Sequence, residues 1–149
     1  MVFRQSCSKG FTLIELLVVV VILGILIGMA VPVVNQTIER HKVAAYANEL
    51  ASDIRLVRHR NINGESLVRI QLLGDRYIIR NGITIQETKN APSGVRILSI
   101  VGSQIYFSGM GVPLGVGATT INIVNDYGHR YEITIMVATG RVHVRPSSN

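Results

Sequence analysis

The chain has 149 residues, enough for one globular domain behind its apolar N-terminal stretch, and 48% of its residues are hydrophobic. Its formal charge of +6 is a mild basic bias, which suits an anionic partner but also plain solubility. The single cysteine, Cys7, lies ahead of the apolar stretch, so the rest of the chain can hold neither a disulfide nor a catalytic thiol.

The longest apolar run extends from Leu16 to Val34 and contains no charged or amide side chain in nineteen residues. As a helix it would be about 28 Å long, which is close to the hydrocarbon thickness of a bilayer. Glu15 lies at the edge of this run, where a charge is costly and usually functional. A generic membrane anchor would leave Glu15 unexplained, and a secretory signal peptide would have a shorter apolar region without a carboxylate.

The junction ahead of this run reads Gly10, Phe11, Thr12, Leu13, Ile14 and Glu15, and it resembles the GFTLIE motif of type IV pilin leaders. The resemblance implies that the prepilin peptidase cleaves between Gly10 and Phe11 on the cytoplasmic side and then N-methylates Phe11. It also implies that Glu15 pairs with the N-terminal amine of a neighbouring subunit. Opposite charges about 4 Å apart attract by about 4 kcal/mol at an effective dielectric of 20, so this pair would favour one axial register of assembly.

The same resemblance implies a domain organisation and a location. Residues 1–10 are expected to be a cytoplasmic leader peptide, and residues 11–34 the transmembrane half of the N-terminal helix. Residues 35–149 are expected to form an extracytoplasmic domain on a single-pass inner-membrane anchor, which becomes a filament subunit after assembly. The implied partners are the prepilin peptidase, other pilin or pseudopilin subunits and the inner membrane.

After the apolar run the pattern becomes that of an amphipathic helix, which is predicted to end near His59. Its apolar positions recur at the spacing of one helical face: Val43, Ala47, Leu50, Ile54 and Val57. From Ser66 the period changes to two, and Asn81-Gly82 predicts a hairpin. Further strands are predicted at 95–101, 104–107, 120–125, 130–137 and 141–144. We therefore predict an α+β fold in which an antiparallel sheet packs on the long N-terminal helix.

Basic side chains gather near the predicted end of this helix at Arg55, Arg58, His59 and Arg60. They would interact favourably with the C-terminal end of the helix dipole. Alternatively, they would form a contact patch for a neighbouring subunit. The sequence leaves both interpretations open.

The sequence offers no pattern for catalysis or for a metal site. Its histidines, His41, His59, His129 and His143, lack metal-ligand spacing, and its acidic residues are scattered singly. No serine lies in a GxSxG elbow. The glycine-rich segment 109–117 precedes a predicted strand rather than a helix, which argues against a phosphate loop. We therefore expect a non-enzymatic protein without a metal or cofactor.

The C-terminal half carries a second resemblance. The segments 105–109 and 139–144, IYFSG and TGRVHV, are similar to segments of the H-type minor pseudopilins of type II secretion and of the FimT-type minor pilins. The first group implies a minor pseudopilin of a periplasmic pseudopilus that drives protein secretion. The second implies a pilin that binds DNA during uptake, as some FimT-type or competence pilins do.

Some FimT-type proteins bind DNA through a C-terminal GRxR motif. Gly140 and Arg141 match that motif here, but His143 stands in place of the second arginine, and Arg145 follows two residues later. The period of a strand puts Arg141, His143 and Arg145 on one face, with the valines between them turned toward the core. This row is a candidate DNA contact, or else the polar face of an edge strand.

Overall fold

A computed structural model describes residues 11–65, 68–98, 103–114 and 120–147, apart from the side chains of 29–35. The chain divides into two compact units, Met1–Gln36 and Thr37–Asn149. Within the described residues the elements are one helix, α1 (Leu13–Ile62), and eight strands: β1 (Val68–Leu72), β2 (Arg76–Asn81), β3 (Thr84–Asn90), β4 (Val95–Leu98), β5 (Gln104–Ile105), β6 (Thr120–Asn125), β7 (Arg130–Ile135) and β8 (Val142–Ser147).

The first unit contains the start of α1 and an exposed apolar surface. Thr12 caps the helix, since its carbonyl and its Oγ1 accept hydrogen bonds from the Glu15 amide at 3.1 and 3.3 Å. Every large apolar side chain from Phe11 to Ile27 is between 45% and 82% exposed. Among the residues that the structure describes, no helix is both long enough and apolar enough to cross a membrane.

The part of α1 in the second unit buries the predicted apolar stripe. Five side chains of that stripe are fully buried: Val43, Ala47, Leu50, Ile54 and Val57. The helix continues to Ile62, three residues past its predicted end. Asn61 is buried in this extra turn, where its amide nitrogen donates to the carbonyls of Val68 and Phe107 at 3.1 and 3.0 Å. These bonds attach the end of the helix to the strand region.

The strands form two antiparallel sheets of four strands each, where the sequence predicted a single sheet. The first sheet has the order β3-β2-β1-β5, and the second has the order β4-β6-β7-β8. Side chains of both sheets join one hydrophobic core with α1, for example Ile70 of the first sheet, Ile133 of the second and Leu50 of the helix. The predicted α+β class, with a helix packed on antiparallel sheet, is confirmed.

Several predicted strands keep their place but change their bounds. The hairpin at Asn81-Gly82 is confirmed, since β2 pairs with β3 around a turn in which Gly82 has a φ of +60°. The predicted strand 130–137 ends at Ile135, because the chain then turns: the Met136 amide donates to the Arg141 carbonyl, and the Met136 carbonyl accepts from the amide of Gly140. The strand predicted from 141 begins at Val142. Residues 99–101 of the predicted strand 95–101 lie outside the described residues.

A polar cluster joins α1 to the first sheet. The Tyr77 hydroxyl donates to Asp53 Oδ2 at 2.6 Å, and Lys89 Nζ lies 3.0 Å from a carboxylate oxygen of both Asp53 and Glu49. The rings of Tyr46 and Tyr77 lie 5.8 Å apart. Burial and then the hydrogen bond to Asp53 raise the pKa of Tyr77, so its hydroxyl stays protonated. The cluster therefore attaches β2 and β3 to the helix by polar contacts beside the apolar core.

Candidate functional site

The N-terminal motif lies at the start of α1. Gly10 falls outside the described residues, whereas Phe11 precedes the helix with a side chain that is 77% exposed. Glu15 is exposed in the first turn, where the helix dipole favours a carboxylate. Thr12 and Glu15 have the spacing of a capping box. Both Phe11 and Glu15 are thus accessible to a partner, and Glu15 also suits the start of the helix.

A second candidate site is a cleft of about 220 Å³ in the second unit, which we call the cationic cleft. The basic residues in its lining are Arg55, Arg58, Arg141 and His143. Gly140 and Val142 complete the lining, and none of these six residues is acidic. Arg55 Nη2 donates to the carbonyl of Val142 at 3.1 Å. Because a carbonyl is neutral, this bond orients the guanidinium without offsetting its positive charge.

Arg58 joins two loops that are far apart in sequence. Its Nε donates to the carbonyl of Gly111 at 3.1 Å, and its Nη2 donates to the carbonyl of Thr139 at 3.0 Å. Gly140 lies against this arrangement with a φ of +63°. A Cβ at Gly140 would lie 2.1 Å from the Gly111 carbonyl oxygen and 2.7 Å from Arg58 Nε. Glycine is therefore required at this position for the two loops and the arginine to approach one another.

The final strand shows the predicted alternation. Arg141, His143 and Arg145 are exposed, whereas Val142 is buried and Val144 packs against the core. Arg145 differs from the other two, because its Nε lies 2.9 Å from Glu132 Oε2 on β7 and it does not line the cationic cleft. The hydrogen bond to Glu132 raises the pKa of Arg145. The predicted row of basic side chains therefore contains one arginine whose charge is already paired.

The histidines, the acidic residues and the glycine-rich segment bear on metal and phosphate binding. Over the described part of the chain, no group of three or more His, Cys, Asp or Glu side chains is positioned to hold a metal ion. Residues 108–112 form a hydrogen-bonded turn, in which the Ser108 amide donates to the Val112 carbonyl at 2.8 Å. This turn is not the start of a helix, so the described part of the glycine-rich segment lacks the geometry of a phosphate loop.

Comparison with known proteins bears on the N-terminal motif. Residues 5–31 match the model of the prokaryotic N-terminal methylation motif. Over its N-terminal residues the chain is similar to type IV pilins. It is 52% identical over 40 residues to type IV major fimbrial protein FimA of Dichelobacter nodosus, and to a fimbrial protein of the same organism. Each match covers 27% of this chain and 25% of the relative. No solved structure matches the chain.

The pilin-like motif agrees with the leader predicted from the sequence. The roles of Gly10, Phe11 and Glu15 in cleavage, methylation and assembly stay predictions. A match over 27% of the chain is too short to test the resemblance to H-type pseudopilins and FimT-type pilins. That subtype also stays a prediction.

Sequence reasoning did not connect Arg55 and Arg58 with the C-terminal Gly-Arg. It attributed them to the helix dipole or to a neighbouring subunit. In the structure both guanidinium groups donate to main-chain carbonyls, with partners 53 to 87 residues away. No local pattern in the sequence encodes such a contact. One signal that was available is Gly140 itself, because a glycine before a strand can indicate close approach of another chain segment.

Proposed function

We propose that the chain is a non-enzymatic subunit of a type IV filament, anchored in the inner membrane by residues 11–34. The observation that carries the proposal is the match of residues 5–31 to the N-terminal methylation motif. In this proposal the peptidase cleaves between Gly10 and Phe11. The exposed apolar side chains between Phe11 and Ile27 support the proposal, because such a surface indicates contact with lipid or with other subunits.

In this proposal Glu15 guides assembly. Cleavage between Gly10 and Phe11 creates a new amine four residues ahead of the Glu15 carboxylate. Within one chain both groups lie at the same end of a helix, while in a filament the carboxylate of one subunit can neutralise the amine of another. Each charge is costly to leave alone in an apolar setting, so the pair favours the register in which both are matched.

Incorporation of Glu15→Ala into filaments tests this role. We expect normal protein level and normal processing, because Glu15 lies in the first turn of α1 and belongs to the first unit. Crosslinking of the subunit into filaments should fall. Asp75→Ala is the matched control, since it removes an exposed carboxylate of the second unit. Incorporation of Glu15→Ala at the wild-type level would rule out the charge-pair role.

More specifically, we propose a minor pseudopilin of a type II secretion machine. The support is the resemblance of segments 105–109 and 139–144 to the H-type group. The subunit would wait in the inner membrane and join a periplasmic pseudopilus with other pseudopilins. Deletion of the gene should then abolish protein secretion and leave DNA uptake unchanged, and the reverse outcome would contradict this assignment.

A DNA-binding pilin of the FimT or competence type is the second candidate, and the observation behind it is the set of basic side chains in the cationic cleft. Arg141 and His143 of the GRxR-like segment lie there with Arg55 and Arg58. Binding of the full chain in detergent to duplex DNA, measured at several salt concentrations, tests this candidate. Micromolar binding that weakens with salt and is lost in Arg141→Ala would support it, since phosphate contacts release counterions. No binding at low salt would eliminate it.

A further inference from the structure

The cationic cleft carries positive charge that no acidic side chain offsets within the described residues. Arg55 and Arg58 donate to the neutral carbonyls of Val142, Gly111 and Thr139. Neither of them, nor Arg141, forms an ion pair in the described part of the chain. The three guanidinium groups therefore present about three positive charges around a space of about 220 Å³.

A group of opposite charge lies elsewhere in the same unit, and we call it the acidic cluster. Glu49, Asp53 and Glu87 surround a single ammonium, that of Lys89, at 3.0, 3.0 and 3.5 Å. Three carboxylates and one ammonium leave two uncompensated negative charges. The side chains of Glu49 and Glu87 are 48% and 54% exposed, so this negative charge reaches the surface.

Helix geometry places the cleft and the cluster on opposite flanks of the domain. Glu49 and Arg58 are nine residues apart on α1, which is two and a half turns, so they point in opposite directions. The buried stripe that contains Leu50 and Val57 lies between these two directions. The acidic cluster is completed by β3 of the first sheet, and the cleft by β8 of the second.

We propose that the acidic cluster of one copy binds the cationic cleft of the next copy, in a head-to-tail contact. This inference rests on the proposed function as a filament subunit. Opposite charges on opposite flanks make a heterologous contact, which repeats from copy to copy and does not close on itself unless the rotation permits. Electrostatic complementarity of this kind selects the orientation in which two surfaces meet.

The compact grouping of the cations favours a protein partner over the backbone of a nucleic acid. Arg55, Arg58 and Arg141 converge on one small cleft, and Arg145, which would extend the row along β8, is paired with Glu132. A phosphate backbone is followed by cations spread along its length, whereas a small group of carboxylates fits one cleft. The chain itself carries such a group in the acidic cluster.

Cysteine crosslinking between copies tests the contact in the full chain, expressed with its filament machine. Cys7 is the only native cysteine, so Cys7→Ser combined with Ala45→Cys, one helical turn before Glu49, and His143→Cys leaves one thiol beside each surface without removing a carboxylate. We expect a short bismaleimide to link copies into a ladder of dimers, trimers and higher forms. Filament incorporation is measured in the same cells. Incorporation without a ladder overturns this inference alone, while absence of both overturns the proposed function as well.

Charge reversal shows whether electrostatics hold the contact. Arg141→Glu and Glu49→Lys, each made singly in the crosslinking background, should lower the ladder by roughly tenfold, since like charges then face each other. The combination of both reversals in one chain should restore it. Arg130→Glu, an exposed arginine outside the cleft and the cluster, is the matched control and should leave the ladder unchanged. A ladder that is insensitive to Glu49→Lys, or that duplex DNA abolishes while Glu49→Lys does not, would overturn the proposal.

Discussion

Tyr77 of β2 donates a hydrogen bond of 2.6 Å to the carboxylate of Asp53 on α1. The same Asp53 oxygen lies 3.0 Å from the Lys89 ammonium, so one carboxylate holds two strands of the first sheet against the helix. Burial raises the pKa of Tyr77, and so does the bond to Asp53. Burial lowers the pKa of Lys89, but hydrogen bonds to Asp53 and Glu49 outweigh it and raise that pKa. The folded state thus favours a neutral Tyr77 and a charged Lys89.

These pKa directions predict that the protein loses stability at alkaline pH. In the unfolded chain tyrosine and lysine release their protons near pH 10, whereas in the folded chain both retain them to higher pH. The folded state then binds more protons, so the free energy of unfolding falls as pH rises above about 10. Chemical denaturation of the purified chain in detergent, followed by circular dichroism from pH 7 to pH 11, measures this change. Tyr77→Phe should flatten the profile, and a stability that does not change across that range would contradict the prediction.

Removal of the Asp53 carboxylate should destabilise the second unit more than removal of its exposed neighbour. Asp53→Ala leaves the Tyr77 hydroxyl without its acceptor and Lys89 without its most buried partner, which should cost about 3 kcal/mol. Glu87→Ala is the matched control, because Glu87 lies 3.5 Å from the same ammonium with a half-exposed side chain. Its cost should stay below about 1 kcal/mol. Equal free energies of unfolding for the two variants would show that the cluster does not support the fold.

Gly140 should be far less tolerant of alanine than another glycine with a similar backbone. Gly128 has a φ of +83° and no atom within 4 Å of the position that a Cβ would take, so Gly128→Ala should cost about 1 kcal/mol from backbone strain alone. Gly140→Ala adds a clash with the Gly111 carbonyl and Arg58, which should bring the total to about 3 kcal/mol. Denaturation of both variants measures the difference. A Gly140→Ala variant as stable as Gly128→Ala would mean that the two loops are not held together by Arg58.

Periodicity predicted the parts of this fold that depend on neighbouring residues. The helical stripe that includes Leu50 and Ile54 is buried as expected. The expected alternation of exposed and buried residues is also present at the start of β8. The division into two sheets was not predicted, because a period of two shows that a segment is a strand but not which strand it pairs with. The short β5 depends on its pairing with β1 for the same reason.

Of the two candidate sites, the N-terminal motif could be predicted from the sequence and the cationic cleft could not. The N-terminal motif is contiguous, so the sequence alone indicated Gly10, Phe11 and Glu15. The cationic cleft combines Arg55 and Arg58 of α1 with residues near the C-terminus, through hydrogen bonds between segments that are 53 to 87 residues apart. Only the arrangement of the helix against both loops reveals that grouping.

The N-terminus of the mature protein tests the proposed function most directly. Mass spectrometry of the chain extracted from its native membrane should give the mass of a protein that begins at N-methylated Phe11. Cells that lack the prepilin peptidase should yield the chain with its leader still attached. An intact Met1 in cells that contain the peptidase, or a mature terminus at Val31 as a secretory signal peptide would leave, would contradict the filament-subunit account.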